Sequence, residues 1–407
     1  MTFQIALTGI NAASTELNSI SNNIANNATH GFKKSRVEFS DVYALSAFGA
    51  SSPSTGSGVR TTNIRQEFAQ GDLQFTGRNL DLAVEGLGMF RMEDDGNALY
   101  TRAGTFGLDR EGYIVNAQGF KLSGFGISQN DEIAPIMEDL RIDFSDMRPN
   151  STENIEFSLN LDIKSGVLPA FDADDPETFN FSTSVTVYDS LGSAQLANFY
   201  FKKDAPNTWT AFTYIDGAEV SQVGGDEITF NNDGELLNIN GAPAATYTTQ
   251  LFNPVSGAEP MDVTIDMSDV TQYDNSYGIN RVVQDGYAAG RMEDFDIDND
   301  GIVYGRFSNG QAKMMGQVTL TNFPNPAGLR QVGSTSWQEN FSSGEPATGA
   351  PGTASLGKLQ SGALEGSNVD LTKELVAMIG AQRSFQANAQ VISTGDTITQ
   401  TVINIRR

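Results

Sequence analysis

Residues 6–32 read ALTGINAASTELNSISNNIANNATHGF, and their spacing decides how the chain begins. Hydrophobic residues recur at alternating separations of three and four, which places them on one face of an α-helix. No proline precedes Pro53, so this stretch lacks the strongest helix breaker. The predicted face consists of Leu7, Ile10, Ala13, Leu17, Ile20 and Ile24.

The end of this run is rich in asparagine, with five of them between Asn18 and Asn27. Asn26, Asn27 and Gly31 tolerate a positive φ, so we expect the helix to stop near them. We interpret the stretch from Asn26 to Phe32 as a helix-end turn that directs the chain toward a different domain.

A second long helix is predicted at the other end of the chain, because no proline follows Pro351. It should be amphipathic and about 35 residues long, with a heptad-like apolar row. The row consists of Leu371, Leu375, Met378, Phe385, Ala389 and Ile392, and a neighbouring row continues with Ile398, Val402 and Ile405.

The two ends carry little charge, whereas the middle of the chain holds the net charge of −25. A short helix is marginal alone in water, so pairing of the two ends is the simplest solution. Their outer faces carry Asn, Gln, Ser and Thr, which other copies can cover without desolvating charge. We therefore predict assembly into a homo-oligomer through Leu7, Ile10, Leu17, Ile20, Ile24, Leu371, Leu375, Met378, Phe385 and Ile392.

The sequence pattern of the rest of the chain is typical of β-strands. Short β-rich runs punctuated by glycine begin near residue 71, and a second block near 150–284 has fewer glycines within its strands. The glycine-rich texture returns after residue 285, as expected when one domain is inserted into another. Pro/Gly/Ser-rich stretches at 49–58 and 342–357 predict flexible connections.

The predicted fold is therefore mainly β, with long α-helices at both termini that form a coiled-coil-like pair. A Gly-rich β core domain carries an inserted outer β-rich domain. The predicted boundaries are 1–32 and 362–407 for the helical core, 33–70 and 342–361 for linkers, 71–145 and 285–341 for the β core, and 146–284 for the insertion.

The composition argues against a catalytic site and against a metal site. The chain has no cysteine and one histidine, His30, which has no identifiable catalytic partner. The run DIDNDG (Asp296, Asp298, Asp300) matches the start of an EF-hand loop, but the twelfth position is Phe307 and not an acid. We predict an acidic β-turn there, no catalytic site, no metal and no cofactor.

An acidic surface disfavours nucleic acid and anionic lipid as partners. The N-terminus resembles neither a signal peptide nor a membrane span, so export would use a route without recognisable cleavage.

Both ends resemble the bacterial flagellar rod and hook proteins. The N-terminal match is ALTGINAASTELNSISNNIANNATHGFKKSRVEFSDV (6–42), and the C-terminal match begins GALEGSNVDLTKELVAMIGAQRSF (362–385). Between them, LDLAVEGLGMFRM, YTRAGTFGLDREGYIVNAQGFKLSGF and DIDNDGIVYGRFSNGQ are similar to the β core of that family. Within the family, the large insertion favours the hook type over the shorter distal rod proteins.

The resemblance implies a flexible helical tube that acts as a universal joint and transmits torque from rod to filament. It implies as partners the distal rod protein, the hook cap protein, the hook–filament junction proteins and the type III export apparatus. It also implies an extracellular location on the flagellum. The alternatives are a distal rod protein and, from other classes, a secreted calcium-dependent adhesin or a carbohydrate-active enzyme.

Overall fold

The structure is a computed structural model that describes residues 2–42, 56–128 and 132–405. The chain divides into two compact units. The first unit comprises Met1–Phe144, Asp294–Gly305 and Ala312–Arg407, and the second comprises Ser145–Glu293 and Arg306–Gln311. Most of the flexible connection expected at 49–58 lies outside the described residues.

The first unit begins with helix α1 (Thr2–Ala25) and continues with ten strands. The strands are β1 (Ser35–Asp41), β2 (Val59–Gln66), β3 (Leu73–Phe75), β4 (Leu82–Glu85), β5 (Met89–Asp94), β6 (Asn97–Thr101), β7 (Gly107–Leu108), β8 (Ile114–Val115), β9 (Lys121–Ile127) and β10 (Ile133–Asp139).

The second unit is built from the next ten strands along the chain. They are β11 (Asn154–Asn160), β12 (Phe181–Tyr188), β13 (Ala194–Ala205), β14 (Thr208–Ile215), β15 (Ala218–Glu219), β16 (Asp226–Phe230), β17 (Leu236–Ile239), β18 (Thr246–Thr248), β19 (Thr264–Asp266) and β20 (Gly278–Gln284).

The chain then returns to the first unit. The elements are β21 (Met292–Ile297), β22 (Ile302–Phe307), β23 (Ala312–Val318), β24 (Leu320–Asn322), a 3-10 turn (Pro326–Gly328), β25 (Arg330–Gly333), β26 (Ser336–Gln338), β27 (Ala347–Gly349), β28 (Lys358–Ser361), β29 (Ala363–Glu365) and helix α2 (Leu371–Ile405).

In the first unit, strands from distant parts of the chain lie side by side. The main sheet runs β23-β9-β5-β6-β26-β25, and β24 also pairs with β5. Two small antiparallel pairs join β28 to β4 and β29 to β3. Through these pairs, the chain that leads into α2 returns to the segment that follows β2, so both helices are anchored on the same β framework.

The second unit closes a core of its own. Two sheets, β12-β13-β14-β16-β17 and β18-β19-β11-β20, enclose a continuous cluster of buried side chains. Along β11, Ile155, Phe157 and Leu159 alternate inward as the period of a strand requires. Phe157 packs edge-on against Phe199 with ring centroids 4.8 Å apart, and the Trp209 indole N–H donates to Gln272 at 2.7 Å.

These elements confirm a mainly β fold with a long helix at each end. The expected C-terminal helix of about 35 residues is the 35-residue α2. The four-part division of the chain stays a prediction. Within its linker stretches the structure has regular pairing, because β1 pairs with β2 and β27 pairs with β24. Among the described helices, none is both long and apolar enough to cross a bilayer.

Candidate assembly site on the paired terminal helices

One face of α1 is buried within the subunit. Ala6, Ala13 and Ile20, each seven residues apart, are buried. Ile10 and Leu17, which lie between them, and Ile24, one turn further on, are half-buried. This is the face that the spacing predicts, except at its start. Leu7 is 44% exposed and lies beside the row, and Ala6 takes the buried position.

The two helices pair antiparallel in one register. A Cβ on Gly9 would lie 2.6 Å from the Asn388 side chain, so the helices approach closely there. At the other end of the pair, Asn23 donates from Nδ2 to Glu374 Oε2 at 3.2 Å. Gly9 to Asn23 and Glu374 to Asn388 both span fourteen residues, so the same register holds along the pair.

The side of α2 that meets α1 differs from the predicted row. Glu374 and Ala381 are buried, and Met378, Asn388 and Ile392 are half-buried. Of the predicted residues, Met378 and Ile392 lie on this seam, and Phe385 lies at its edge with partial exposure.

Leu371 and Leu375 are exposed, because Leu371 opens the helix and Leu375 lies one position past Glu374, on the flank of the seam.

An apolar surface of α2 is therefore left uncovered in the subunit. Leu375 is 50% exposed, Ile379 52% and Val376 66%. We call Leu371, Leu375, Val376 and Ile379 the open face of α2. Further exposed apolar residues of the two helices are Phe3, Ile5, Leu7, Val391, Ile398 and Ile403. Covering such a surface is favourable by about 25 cal/mol per Å² of apolar area. On α1, Glu16 is the one charged side chain whose desolvation would counteract this gain.

The asparagines at the end of α1 have distinct roles. Asn23 is buried, and its side-chain amide pairs with the backbone of Ser35 in both directions at 2.9 Å, as a strand neighbour would. The Asn26 side chain donates back to the Asn22 carbonyl at 2.9 Å. Asn23 thus connects the end of α1, the start of β1 and the first turn of α2.

Gly31 makes the reversal that follows α1. It is the one residue of the predicted trio with a positive φ, at 69°, and an added Cβ would meet the Ala103 backbone nitrogen at 2.4 Å. Asn26 and Asn27 keep right-handed backbone, because their N–H groups bond to carbonyls of the last helical turn. Phe32 is buried directly after the turn.

A buried ionic cluster lies at the junction of the helices and the β framework. Glu365 accepts from Lys33 Nζ at 2.6 Å and from Arg102 Nη1 at 3.0 Å, and the exposed fraction of all three side chains is 5% or less. Gly71 N–H also donates to Glu365 Oε1, and Lys33 donates to the Ala69 carbonyl at 2.7 Å. Burial lowers the pKa of Lys33, and the Glu365 carboxylate opposes that effect.

The cluster joins three sequence motifs that lie far apart in the chain. Lys33 belongs to GFKK (31–34), Arg102 to TRAG (101–104), and Glu365 to GALEGSNVDL (362–371). These contacts hold the end of α1 and the start of α2 on one framework. Removal of the Glu365 carboxylate would leave two cations buried without a counter-charge.

Comparison with known proteins places the chain in a family. The family model "Flagellar hook protein FlgE/F/G D1 domain" matches residues 83–157, "Flagellar basal body protein FlaE D2 domain" matches 150–287, and "Flagellar basal body rod FlgEFG protein C-terminal" matches 360–405. The flagellar hook protein FlgE of Escherichia coli (strain K12) is 38% identical over 418 residues, covering 100% of both chains.

The chain belongs to the flagellar hook protein FlgE family. The FlgE of Borreliella burgdorferi is also similar, at 33% identity over 98% of both chains. Among solved structures, Helicobacter pylori flagellar hook protein FlgE2 has a TM-score of 0.54 at 15% identity, covers 72% of this chain and is itself covered completely. That structure supports the fold alone.

Membership of the FlgE family confirms the resemblance found in the sequence. The distal rod and calcium-dependent adhesin alternatives are not favoured, because relatives aligned over the whole chain are hook proteins. In the structure, the DIDNDG stretch forms the end of β21 and the turn that leads to β22. Asp298 Oδ1 accepts from the N–H groups of Asp300 at 3.0 Å and Ile302 at 2.8 Å. Within residues 2–42, 56–128 and 132–405, no cluster of three or more potential ligands suits a metal ion.

Two features of this FlgE-family chain escaped sequence reasoning. The first is the Lys33–Glu365–Arg102 cluster, whose three residues lie in motifs that are far apart in the chain. The Asn368 side chain, which donates to the Glu67 carbonyl at 2.7 Å and accepts from Lys34 N–H at 2.8 Å, gives no signal of its own.

Proposed function

We propose that this chain is the repeating subunit of a flagellar hook and that it polymerises into a helical tube through its terminal helices. The observation that carries the proposal is the open face of α2, which is apolar, free of charged residues and uncovered in the subunit. A monomeric protein gains nothing from such a surface, whereas a polymer buries it between copies.

The proposed polymer is stiff along its core and compliant at its periphery. Residues 1–30 and 365–407 form the shared core, where apolar helices are covered by neighbouring copies. The second unit has a complete core of its own and a carboxylate-rich surface, so its contacts with other copies are shallow. Shallow contacts let copies slide past each other when the tube bends as it rotates, which is what a universal joint requires.

The same proposal includes an export route, a location and partner proteins for the subunit. It is exported without a cleaved signal peptide by the type III apparatus, lies outside the cell on the flagellum, and contacts the distal rod, hook cap and hook–filament junction proteins. Its role is structural, with no catalysis and no contact with nucleic acid or membrane. The FlgE membership and the acidic, cysteine-free composition support this assignment.

The decisive experiment places a charge on the open face. Leu375→Asp is expected to abolish polymerisation, because burying an unpaired carboxylate between copies costs several kcal/mol. Leu375 is half exposed in the subunit, so the variant should fold as the wild type does. Sedimentation and negative-stain microscopy after salt-induced polymerisation measure the effect, with circular dichroism as the folding check. Leu17→Asp, within the seam itself, should also prevent assembly.

The matched control is Leu237→Asp in the second unit, where the same substitution falls on a side chain that is 53% exposed. This variant should polymerise like the wild type. Wild-type tubes from Leu375→Asp, or equal loss of assembly in both variants, would contradict the proposal.

A further inference from the structure

The hairpin of β1 and β2 carries three arginines on one face. Arg36 lies directly opposite Arg65, and Ser40 lies opposite Arg60. Arg36 and Ser40 share one side of β1 by alternation, and an extra residue in β2 opposite Glu38 and Phe39 keeps Arg60 and Arg65 on that side. Within the two strands, Glu38 is the one acidic residue on that side, and Glu67, directly after β2, also contacts Arg36. We call this side the cationic face of the hairpin.

Within the subunit, the arginines of this face form few ion pairs. Like charges directly opposite each other on neighbouring strands are destabilising, and Arg36 and Arg65 form such a pair. Arg36 is partly compensated by Glu38 at 3.5 Å and by Glu67 at 3.6 Å. Arg60 and Arg65 are exposed and have no ion-pair partner among the described residues. Their charge is therefore available to a partner.

Charge complementarity identifies the partner as a second copy of this chain. Strands β1 and β2 hold three arginines against Glu38 and Asp41, whereas the whole chain has a net charge of −25. In a polymer, the surface that each hairpin meets belongs to a neighbouring subunit with that acidic excess.

The position of the hairpin also favours a contact between copies. It packs along α1, where Val59 N–H donates to Thr8 Oγ1 at 3.3 Å and Ser19 Oγ donates to the Ser35 carbonyl at 3.2 Å. The cationic face is thus carried by the same helix pair whose open face is buried on assembly, and a neighbour that covers the helices also reaches the hairpin.

We propose that the cationic face of the hairpin docks on carboxylates of a second copy and fixes the register between neighbouring subunits. This inference rests on the proposed polymer and names one of its contacts. The apolar helix faces provide most of the stability of the contact, and the arginines select one arrangement among those that apolar packing alone would allow.

The test is Arg60→Glu combined with Arg65→Glu in the full chain. We expect the critical concentration for polymerisation to rise about tenfold or more, because paired charges become repulsive. The difference from the wild type should shrink at high ionic strength, which screens the contact. Arg60→Gln combined with Arg65→Gln should fall between the two. Because both side chains are exposed and Arg65→Glu removes the repulsion from Arg36, the thermal unfolding midpoint should not fall.

The control is Arg110→Glu combined with Arg330→Glu, which lowers the net charge by the same amount at exposed positions of the first unit outside the hairpin. It should polymerise at nearly the wild-type concentration. Equal critical concentrations for the hairpin and control variants would overturn the inference. Wild-type polymerisation by the hairpin variant, with lost binding to phosphatidylglycerol vesicles, would overturn it in favour of a lipid surface. Failure of the wild type to polymerise would instead refute the proposed function itself.

Discussion

The second unit buries its large apolar side chains within the subunit, whereas the pair of terminal helices leaves many of its apolar side chains exposed. In the second unit, Phe157, Phe199 and Trp209 are fully buried between two sheets that the unit supplies itself. Along α2, Val376 and Ile379 remain more than half exposed. The first arrangement is complete within one subunit, whereas the second leaves apolar surface that the proposed polymer would cover.

Charge follows the same division. Helix α1 holds one charged residue, Glu16, over 24 residues, while the acidic excess of the chain lies between the helices. A neutral helix can be buried by neighbours without desolvation of ions, and an acidic surface resists close contact with a like surface. Under the proposed function, assembly and compliance therefore belong to different stretches of the chain.

The largest change that tests this difference between the two regions is removal of the second unit. Asn150 and Tyr287 exchange backbone hydrogen bonds of 3.0 Å, so the chain enters and leaves the unit at adjacent points. Replacing residues 151–286 by a short Gly-Gly link should therefore leave the first unit folded. We expect this variant to polymerise into tubes with altered bending stiffness, as measured by electron microscopy of tube curvature.

The control for the deletion is the same excision in a chain that also carries Leu375→Asp, which should give no tubes. A deletion variant that keeps its helical circular dichroism but forms no tubes would show that the second unit contributes to the core contacts, against the division drawn above.

The second prediction concerns the cluster that joins the helices to the β framework. Glu365→Gln keeps the shape of the side chain but leaves Lys33 and Arg102 buried without a carboxylate. Breaking a buried ion pair in this way typically costs about 3–5 kcal/mol. We expect the free energy of unfolding of the first unit to fall by that amount, and the unfolding transition of the second unit to stay unchanged in urea titrations.

Glu67→Gln provides the matched comparison. Glu67 pairs with Lys34 at 3.2 Å and with Arg36 at 3.6 Å, but Glu67 and Lys34 are about one-third exposed and Arg36 is more exposed still. Solvent screens such a pair, so its loss should cost no more than about 1 kcal/mol. Equal effects of the two substitutions would mean that the buried cluster adds nothing to the anchoring of the helices.

The limits of sequence reasoning follow the same division of the molecule. The face of α1 could be predicted because its spacing of three and four is a local property, and Ala13, Leu17 and Ile20 lie where that spacing puts them. On α2 the apolar residues run nearly all the way round, so spacing could not separate the seam that meets α1 from the open face. The predicted row therefore joins Leu371 and Leu375 to Met378, although the two leucines are exposed and Met378 is half-buried.

Contacts between distant parts of the chain could not be predicted at all. Glu365 meets Lys33 across 332 residues and Arg102 across 263, and no local pattern encodes such a pairing. The same holds for the register of β28 with β4, which positions the start of α2. Family resemblance suggested that these segments belong together, but only the tertiary structure shows which atoms meet.

The finest test distinguishes the two sides of the helix pair by adding one methyl group to each. Gly380 lies next to Ile379 on the outer side of α2, where a Cβ would meet no atom within 4 Å. Glycine inside a helix is less favourable than alanine by about 1 kcal/mol.

Gly380→Ala should therefore stabilise the unassembled helix pair by about 1 kcal/mol, because the methyl removes backbone freedom from the unfolded chain without a steric clash. Gly9→Ala has the same intrinsic benefit, but its methyl would lie 2.6 Å from Asn388 and must displace that side chain from the seam. Thermal unfolding followed at 222 nm should show opposite shifts for the two variants. Stabilisation by both would mean that Gly9 is not needed for close helix pairing. Wild-type polymerisation by Gly380→Ala would show that neighbouring copies approach the open face through its leucine and isoleucine side chains, and not through the bare backbone at Gly380.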